Sequence, residues 1–283
     1  MIEVRFWGVR GSIPTPGPAT VEVGGNTSCV EIRAGGRLLV FDGGTGLRNL
    51  GNSLLKSMPI EAWIFFSHVH WDHIQGFPFF TPAFVRGNVI HLYGAHKVSG
   101  TLEETLAGQM ENPSFPVHLT EMGAAMTFHD LFEGEVVEIA ALEGDANGPV
   151  RISNARGNHP NGVYAYRVDH AGKSVVYATD TEHYAIVDPR LKKLAQGCDV
   201  LIYDSQYTPE EYSGAAGMPK TGWGHSTYEA AVELAKAAGA KKLVLYHHDP
   251  GQDDRAVRDK ERRAKELFPS SVAAVEGLTI SVK

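Results

Sequence analysis

The sequence predicts an α/β protein in which two β-sheets lie face to face with helices outside. Three observations carry this. Short apolar or alternating runs bounded by Gly-rich turns occur in two groups, one in each half of the 283 residues. Stretches with helical spacing follow the strands in both halves. No tandem period or linker-like segment interrupts the chain, so residues 1–283 are expected to form one domain. With 43% apolar and 21% charged residues, the composition is that of an ordinary globular protein. There is no apolar stretch of membrane-spanning length and no signal-peptide pattern at Met1–Arg5, so no membrane partner is expected. The two cysteines, Cys29 and Cys198, lie in apolar runs and read as buried thiols of a reducing cytoplasm. A net charge of −7 argues against a broad nucleic-acid surface. It leaves room for a small anionic substrate, because bound cations would dominate the field of a pocket.

In chain order, Val4 to Trp7 reads as a strand, and Gly8 to Gly25 as a Gly/Pro-rich loop expected to form one lip of a site. Thr27 to Arg33 and Arg37 to Phe41 make a hairpin around Ala34-Gly35-Gly36. The following Asp42-Gly43-Gly44-Thr45-Gly46 precedes a helix with Leu47, Leu50, Leu54 and Leu55 on one face. It lacks the lysine of a nucleotide-binding loop, and Asp42 at the strand end is placed either to orient a ligating histidine or to serve the turn. Trp63 to Phe66 reads as a buried strand, Val89 to Tyr93 as a short one, and Thr101 to Met110 as a helix. The aromatics of Gln75 to Pro82 suit either a pocket wall or the core, and residues 97–125 are expected to form a lid-like excursion.

Directly after Trp63–Phe66 comes Ser67-His68-Val69-His70-Trp71-Asp72-His73. Three imidazoles and a carboxylate within six residues offer nitrogen and oxygen donors that suit zinc and its neighbours in the first transition row. Left unmetallated at a buried strand end, they would be costly. If the chain stays extended, His68, His70 and Asp72 share a face, and a turn at His73 would aim it at a second metal. His91, His96, His118 and His129 show no ligand-like spacing.

In the second half, Val136 to Ile139, Val150 to Ala155, Val163 to Val168 and Ser174 to Ala178 read as strands, partly antiparallel. His159 sits in a turn before one strand, Asp180 ends another, and His247 ends Lys242 to Tyr246, so all three fall at strand ends. Of the adjacent pair, His247 rather than His248 is expected to face the site. In Gly224-His225-Ser226-Thr227-Tyr228-Glu229, Ser226 and Glu229 have capping-box spacing before a helix with Tyr228, Ala231, Val232, Ala235 and Ala238 on one face. His225 thereby precedes a helix N-terminus, an environment that favours a phosphate.

These motifs resemble those of the metallo-β-lactamase-fold superfamily across nearly the whole chain, and within it the branch of ribonuclease Z and small cyclic-phosphate phosphodiesterases. The residues concerned are Gly8 to Pro16, Asn26-Thr27-Ser28, Asp42 to Gly46, His68-x-His70-x-Asp72-His73, His159, Asp180, Gly224 to Thr227 and His247. The resemblance implies a four-layer αβ/βα sandwich with a dinuclear metal site. His68, His70 and His159 would hold one metal, Asp72, His73 and His247 the other, with Asp180 bridging. It implies a proton-transfer role for His225 supported by Asp204, where the family usually has glutamate. Ribonuclease Z carries a Gly-rich basic arm that grips tRNA, and nothing in the second half resembles it. That branch is commonly dimeric, so a homodimer is an expectation carried by the resemblance alone.

The resulting expectation is a metal-dependent phosphodiesterase for a small anionic phosphodiester, such as a cyclic nucleotide or cyclic ribose phosphate. Asp72, His225 and Asp204 are its catalytic residues, with His225 as proton donor and a hydroxide between the metals as nucleophile. Zinc is the default cofactor, two ions per chain, with manganese or iron also suited to His/Asp donors. The alternatives are a lactonase or thioesterase on the same site, RNA processing of the ribonuclease Z kind, and a di-iron redox protein.

Overall fold

The structure, a computed structural model, describes residues 1–96, 100–140 and 142–283. The first half runs β1 (Ile2–Gly8), β2 (Cys29–Ala34), β3 (Arg37–Phe41), α1 (Gly46–Leu54), β4 (Glu61–Phe65), α2 (Trp71–Ile74), β5 (Val89–Ala95), α3 (Leu102–Gly108) and β6 (Ala125–Leu131). The second runs β7 (Val136–Ile139), β8 (Val150–Gly157), β9 (Val163–His170), β10 (Lys173–Ala178), α4 (Pro189–Leu194), β11 (Val200–Asp204), α5 (Pro209–Ser213), α6 (Tyr228–Ala238), β12 (Leu243–Tyr246), α7 (Asp254–Leu267), β13 (Ser271–Ala273) and β14 (Thr279–Val282). Two seven-stranded sheets result, in the orders β14-β1-β2-β3-β4-β5-β6 and β13-β12-β11-β10-β9-β8-β7. Both are mixed: β3-β4-β5-β6 and β10-β11-β12-β13 are parallel and the other pairings antiparallel.

Strand alternation explains the layers. In β3, Leu39 and Phe41 face a central core shared with Tyr166, Tyr177, Ile202 and Tyr246 of the other sheet. Leu38 and Val40 face outward and are covered by Leu47, Leu50 and Leu54 of α1. The second sheet repeats this, with Val176, Leu201 and Leu245 under Ala231, Leu234 and Ala235 of α6. The predicted four layers are present.

In the described part of the 97–125 segment, Thr105 lines a cavity beside His70, and Leu102, Leu106, Met110 and Leu119 are buried in the outer layer of the first sheet. Their helical spacing required a covered face, and the sheet supplied it; residues 97–99 lie outside the described residues. Phe77 and Phe80 likewise belong to that outer layer and do not wall the site.

Candidate metal centre

The parallel strands end on one rim of the sandwich, and the ligand candidates are carried in the segments just beyond them. Ser67 to His70 follow β4, Thr179 and Asp180 follow β10, β11 ends in Asp204, and His247 follows β12. His159 sits in the turn between β8 and β9. Among the described residues, donor atoms converge in three overlapping groups: His68, His70 and His159; Asp72, His73, Asp180 and His247; and Asp180, Asp204, His225 and His247, each within 4.8 Å. All nine site residues named from the sequence are therefore brought together. The expectation that Asp72 shares a face with His68 and His70 is corrected. The chain turns helical at Trp71, so His70 remains extended as the N-terminal cap of α2 while Asp72 and His73 swing to the second group.

Asp180 faces both groups. Its Oδ2 lies 3.7 Å from His68 Nε2 and 3.9 Å from His159 Nε2, while its Oδ1 lies 3.3 Å from His73 Nε2 and 3.2 Å from His247 Nε2. The surrounding hydrogen bonds fix the imidazole tautomers. Ser67 Oγ donates to Asp42 Oδ2 at 2.8 Å, so it can only accept from His68 Nδ1, 3.1 Å away. His68 Nε2 is thus a lone pair, and it is buried without a partner. His73 Nδ1 donates to Asp42 at 2.7 Å, His159 Nδ1 to the Gly224 carbonyl at 2.9 Å, and His247 Nδ1 to Gln206 Oε1 at 2.9 Å. Each ring presents its other nitrogen to the cluster, the usual arrangement behind a metal-ligating histidine. His70 Nδ1 and His159 Nε2 stand 3.0 Å apart, a contact that needs a cation or a proton between them.

The electrostatics agree. Burial, reinforced by neighbouring imidazoles, holds His68 well below its usual pKa, and burial first also lowers His70 and His159. Neutral imidazole is the ligating form. Burial alone would raise Asp72 and Asp180, yet their histidine neighbours bring both well below the carboxylate range. Burial would lower His73, but Asp180, Asp72 and Asp42 outweigh it and raise it well above the imidazole value. A proton held there by three carboxylates marks a place where a divalent cation would be held more strongly. The residues fit a pair of divalent ions: His68, His70 and His159 on one side, Asp72, His73 and His247 on the other, Asp180 between.

The backbone around the cluster is strained. Asp42, Asp180 and His247 have φ of 62°, 49° and 60°, and Ser12 has 64°. Non-glycine residues rarely adopt such values, and they collect at functional sites. The Gly8 to Gly25 loop does form a lip: Ser12 N–H donates to Asp72 Oδ2 at 2.7 Å. Gly11 is required because a Cβ there would strike the His247 ring. Arg10 anchors the loop; fully buried, it donates to the carbonyls of Gly24 at 2.8 Å and Asp249 at 3.2 Å. His248 points away, its Nε2 donating to the Ala274 carbonyl at 3.0 Å. Asp42 takes the orienting role, accepting also from the Tyr177 hydroxyl at 2.7 Å.

His225 lies beside the cluster, its ring 5.0 Å from that of His247 and its Nδ1 2.8 Å from Asp204 Oδ2. Asp204 also accepts from the backbone N–H groups of Ser226 and Gln206. Burial would lower the His225 pKa, but Asp204, with Asp180 and Asp72 beyond it, raises it to about 9. Nε2 is left facing the site as a donor. The predicted capping box is corrected. Thr227 caps α6 by accepting from Ala230 N–H, while the Ser226 hydroxyl turns inward to the Thr181 carbonyl. A β-bridge between Tyr207 and Thr227 keeps the chain extended through Ser226 and starts the helix one residue later.

A sequence-family model described as a beta-lactamase superfamily domain matches residues 37–248. The chain belongs to the metallo-β-lactamase superfamily. It is 26% identical to the ribonuclease Z of Bacillus subtilis, over 99% of both chains. Among solved structures it is similar to the metallo-β-lactamase fold protein YhfI of Bacillus subtilis, with a TM-score of 0.68 and 21% identity over 99% of this chain and 98% of that one. It is also similar to a diphosphatase from the PhnP family, with a TM-score of 0.70 and 17% identity over 100% of this chain and 98% of that one. Three residues that hold this superfamily site together escaped the sequence reading. These are Ser12, Gln206 and Glu182, the last accepting from the Tyr212 hydroxyl and from the N–H groups of Gly222 and Gly224. Only their closeness to a strand end or to the opening loop marks them.

Proposed function

We propose that the chain is a metal-dependent phosphodiesterase acting on a small phosphodiester. The observation that carries this is the His225–Asp204 pair at 2.8 Å, set beside a cluster whose Asp180 faces two donor groups. Two divalent cations, zinc by default, would polarise the phosphate and lower the pKa of attacking water when bound. Asp204 takes Nδ1–H of His225 and supports positive charge on the ring. Its Nε2 delivers a proton to the departing alkoxide as the P–O bond breaks. Three backbone N–H groups, those of Thr181, Gln206 and Ser226, and His225 hold Asp204 in this geometry. Ser12 N–H keeps Asp72 turned to its group.

Ribonuclease Z-like RNA processing is the second reading, favoured by the full-length likeness to the Bacillus subtilis enzyme. Against it, the alignment spans 318 positions for a chain of 283 residues, so that relative carries segments with no counterpart here. Between His159 and Asp180 this chain has only the β9–β10 hairpin.

The test is hydrolysis by metal-reconstituted and chelator-treated protein of a chromogenic diester, 2′,3′- and 3′,5′-cyclic nucleotides, a precursor tRNA with a 3′ trailer, a lactone and a thioester. Metal-dependent turnover of the cyclic or chromogenic diesters without precursor cleavage is expected. Efficient 3′ cleavage of the precursor would move the assignment to RNA processing. Turnover confined to the lactone or thioester would overturn both phosphate readings.

A further inference from the structure

Two cavities open beside the His70–His159 side of the cluster. One, about 680 Å³, is lined by Val69, His70, His96, Thr105, Arg156 and Tyr164, among others. The second, about 430 Å³, is lined by Asn158, His159, Glu182, Arg190 and Gly224 and again by Arg156. Arg156 and Gly162 are shared by both. Arg156 is the penultimate residue of β8, three before His159, and pairs across the sheet with Tyr164. Its Nη2 lies over Gly162, 3.3 Å from where a Cβ would stand, in the turn that carries His159. In that turn Asn161 has φ of 64° and Gly162 of 82°.

The charge balance of these cavities is unusual for an acidic chain. No carboxylate lines the larger one among the described residues. The Arg156 guanidinium makes no ion pair or hydrogen bond with them; Glu133 meets only its main-chain N–H, at 3.4 Å. By contrast Arg190 is committed to Asp188 at 2.8 Å and Asn158 at 3.0 Å, His96 faces Asp130 at 3.7 Å, and Glu182 is saturated by Tyr212, Gly222 and Gly224. An unpaired guanidinium where two cavities meet, in a chain of net charge −7, is suited to a fork-like contact with an oxyanion. A cavity of this size takes a nucleoside-sized group.

We infer that Arg156 is a specificity residue that binds a second phosphate of the substrate, separated from the reacting phosphate by a nucleoside-sized spacer. This rests on the phosphodiesterase reading and narrows it. A phosphodiester lacking the second anion is bound by the cluster alone.

The test uses calorimetric binding of adenosine 3′,5′-bisphosphate, 3′-monophosphate and 5′-monophosphate to zinc-loaded wild type, Arg156→Ala and Arg156→Lys. The loss of one charge-assisted contact corresponds to about 10- to 100-fold in Kd. The wild type is expected to prefer the bisphosphate by that factor over either monophosphate, Arg156→Ala to lose the preference, and Arg156→Lys to recover part of it. Turnover of bis(p-nitrophenyl) phosphate should be the same in wild type and Arg156→Ala. No bisphosphate preference in the wild type, an equal loss for all three ligands, or lost turnover of the chromogenic diester would overturn the inference. A bisphosphate preference in a protein that hydrolyses no diester would uphold the Arg156 site and overturn the phosphodiesterase reading. If precursor tRNA cleavage falls in Arg156→Ala, the second phosphate belongs to an RNA chain; an effect confined to the bisphosphate assigns it to a small substrate.

Discussion

His73 Nδ1 donates to Asp42 Oδ2 across 2.7 Å, with both side chains fully buried. The contact joins the end of β3 to the first turn of α2 and turns His73 Nε2 toward Asp72 and Asp180. Asp42 keeps its left-handed φ of 62° to make it. Asp42→Asn preserves shape but weakens the charge that orients the imidazole. Metal affinity should fall about 10- to 100-fold, as for other residues that orient a ligand. Competition with a chromogenic chelator measures this, and unchanged affinity would show that Asp42 serves only the turn.

Asp180 contributes one oxygen toward each donor group. Asp180→Ala should therefore leave three histidines on one side and two histidines with Asp72 on the other, with nothing shared. At most one equivalent of metal is expected by elemental analysis after dialysis, against two in the wild type. Two retained equivalents would exclude the shared role.

The sandwich and the convergence of the candidate donors were legible for a simple reason. Strand ends carry ligands, and a run such as Trp63–Phe66 followed at once by three histidines and an aspartate exposes that placement in one dimension. Asp42 could be read the same way. The point where the chain turns could not, because Trp71 begins a four-residue helix with no propensity signal of its own. The cover that Leu102, Leu106 and Met110 give to the first sheet could not be read, because helical spacing shows an apolar face but not the sheet face that it meets. Ser12 and the N–H groups of Gly222 and Gly224 act through the backbone, which side-chain identity does not reveal. Strands β6, β13 and β14 and helix α7 also went unread. In α7, Val257 and Ala264 are buried among charged neighbours, a thin apolar signal.

His225→Ala should keep both metals and lose about 10²–10⁴-fold in turnover on a diester with a poor leaving group. The loss should be much smaller for bis(p-nitrophenyl) phosphate, whose leaving group needs no proton. Asp204→Asn should follow the same pattern with a smaller loss. Steady-state kinetics on the two substrates, with metal content measured in parallel, separates proton donation from structural damage. Equal losses on both substrates would refute the donor role.

Lys260 supplies a pH dependence from behind the segment that follows Asp204. The residue is 1% exposed, and its amino group donates to the carbonyls of Ser205 at 2.6 Å and Gln206 at 3.3 Å and to Gln252 Oε1 at 2.8 Å. All three acceptors are uncharged. Burial lowers its pKa to about 7, against the partial opposition of Glu211, Asp249 and Asp204. In the unfolded chain the group titrates near 10.5. Between those values the unfolded state binds a proton that the folded state lacks, so stability rises with pH across that window. Below about pH 7 both states are charged and the burial penalty is constant. The slope from this group approaches about 1.4 kcal/mol per pH unit mid-window. Urea melts from pH 6 to 10 should show this rise in the wild type, while Lys260→Met removes it whatever its absolute stability. Parallel curves for the two proteins would mean that Lys260 stays charged throughout, held by its three oxygens and the carboxylates behind them.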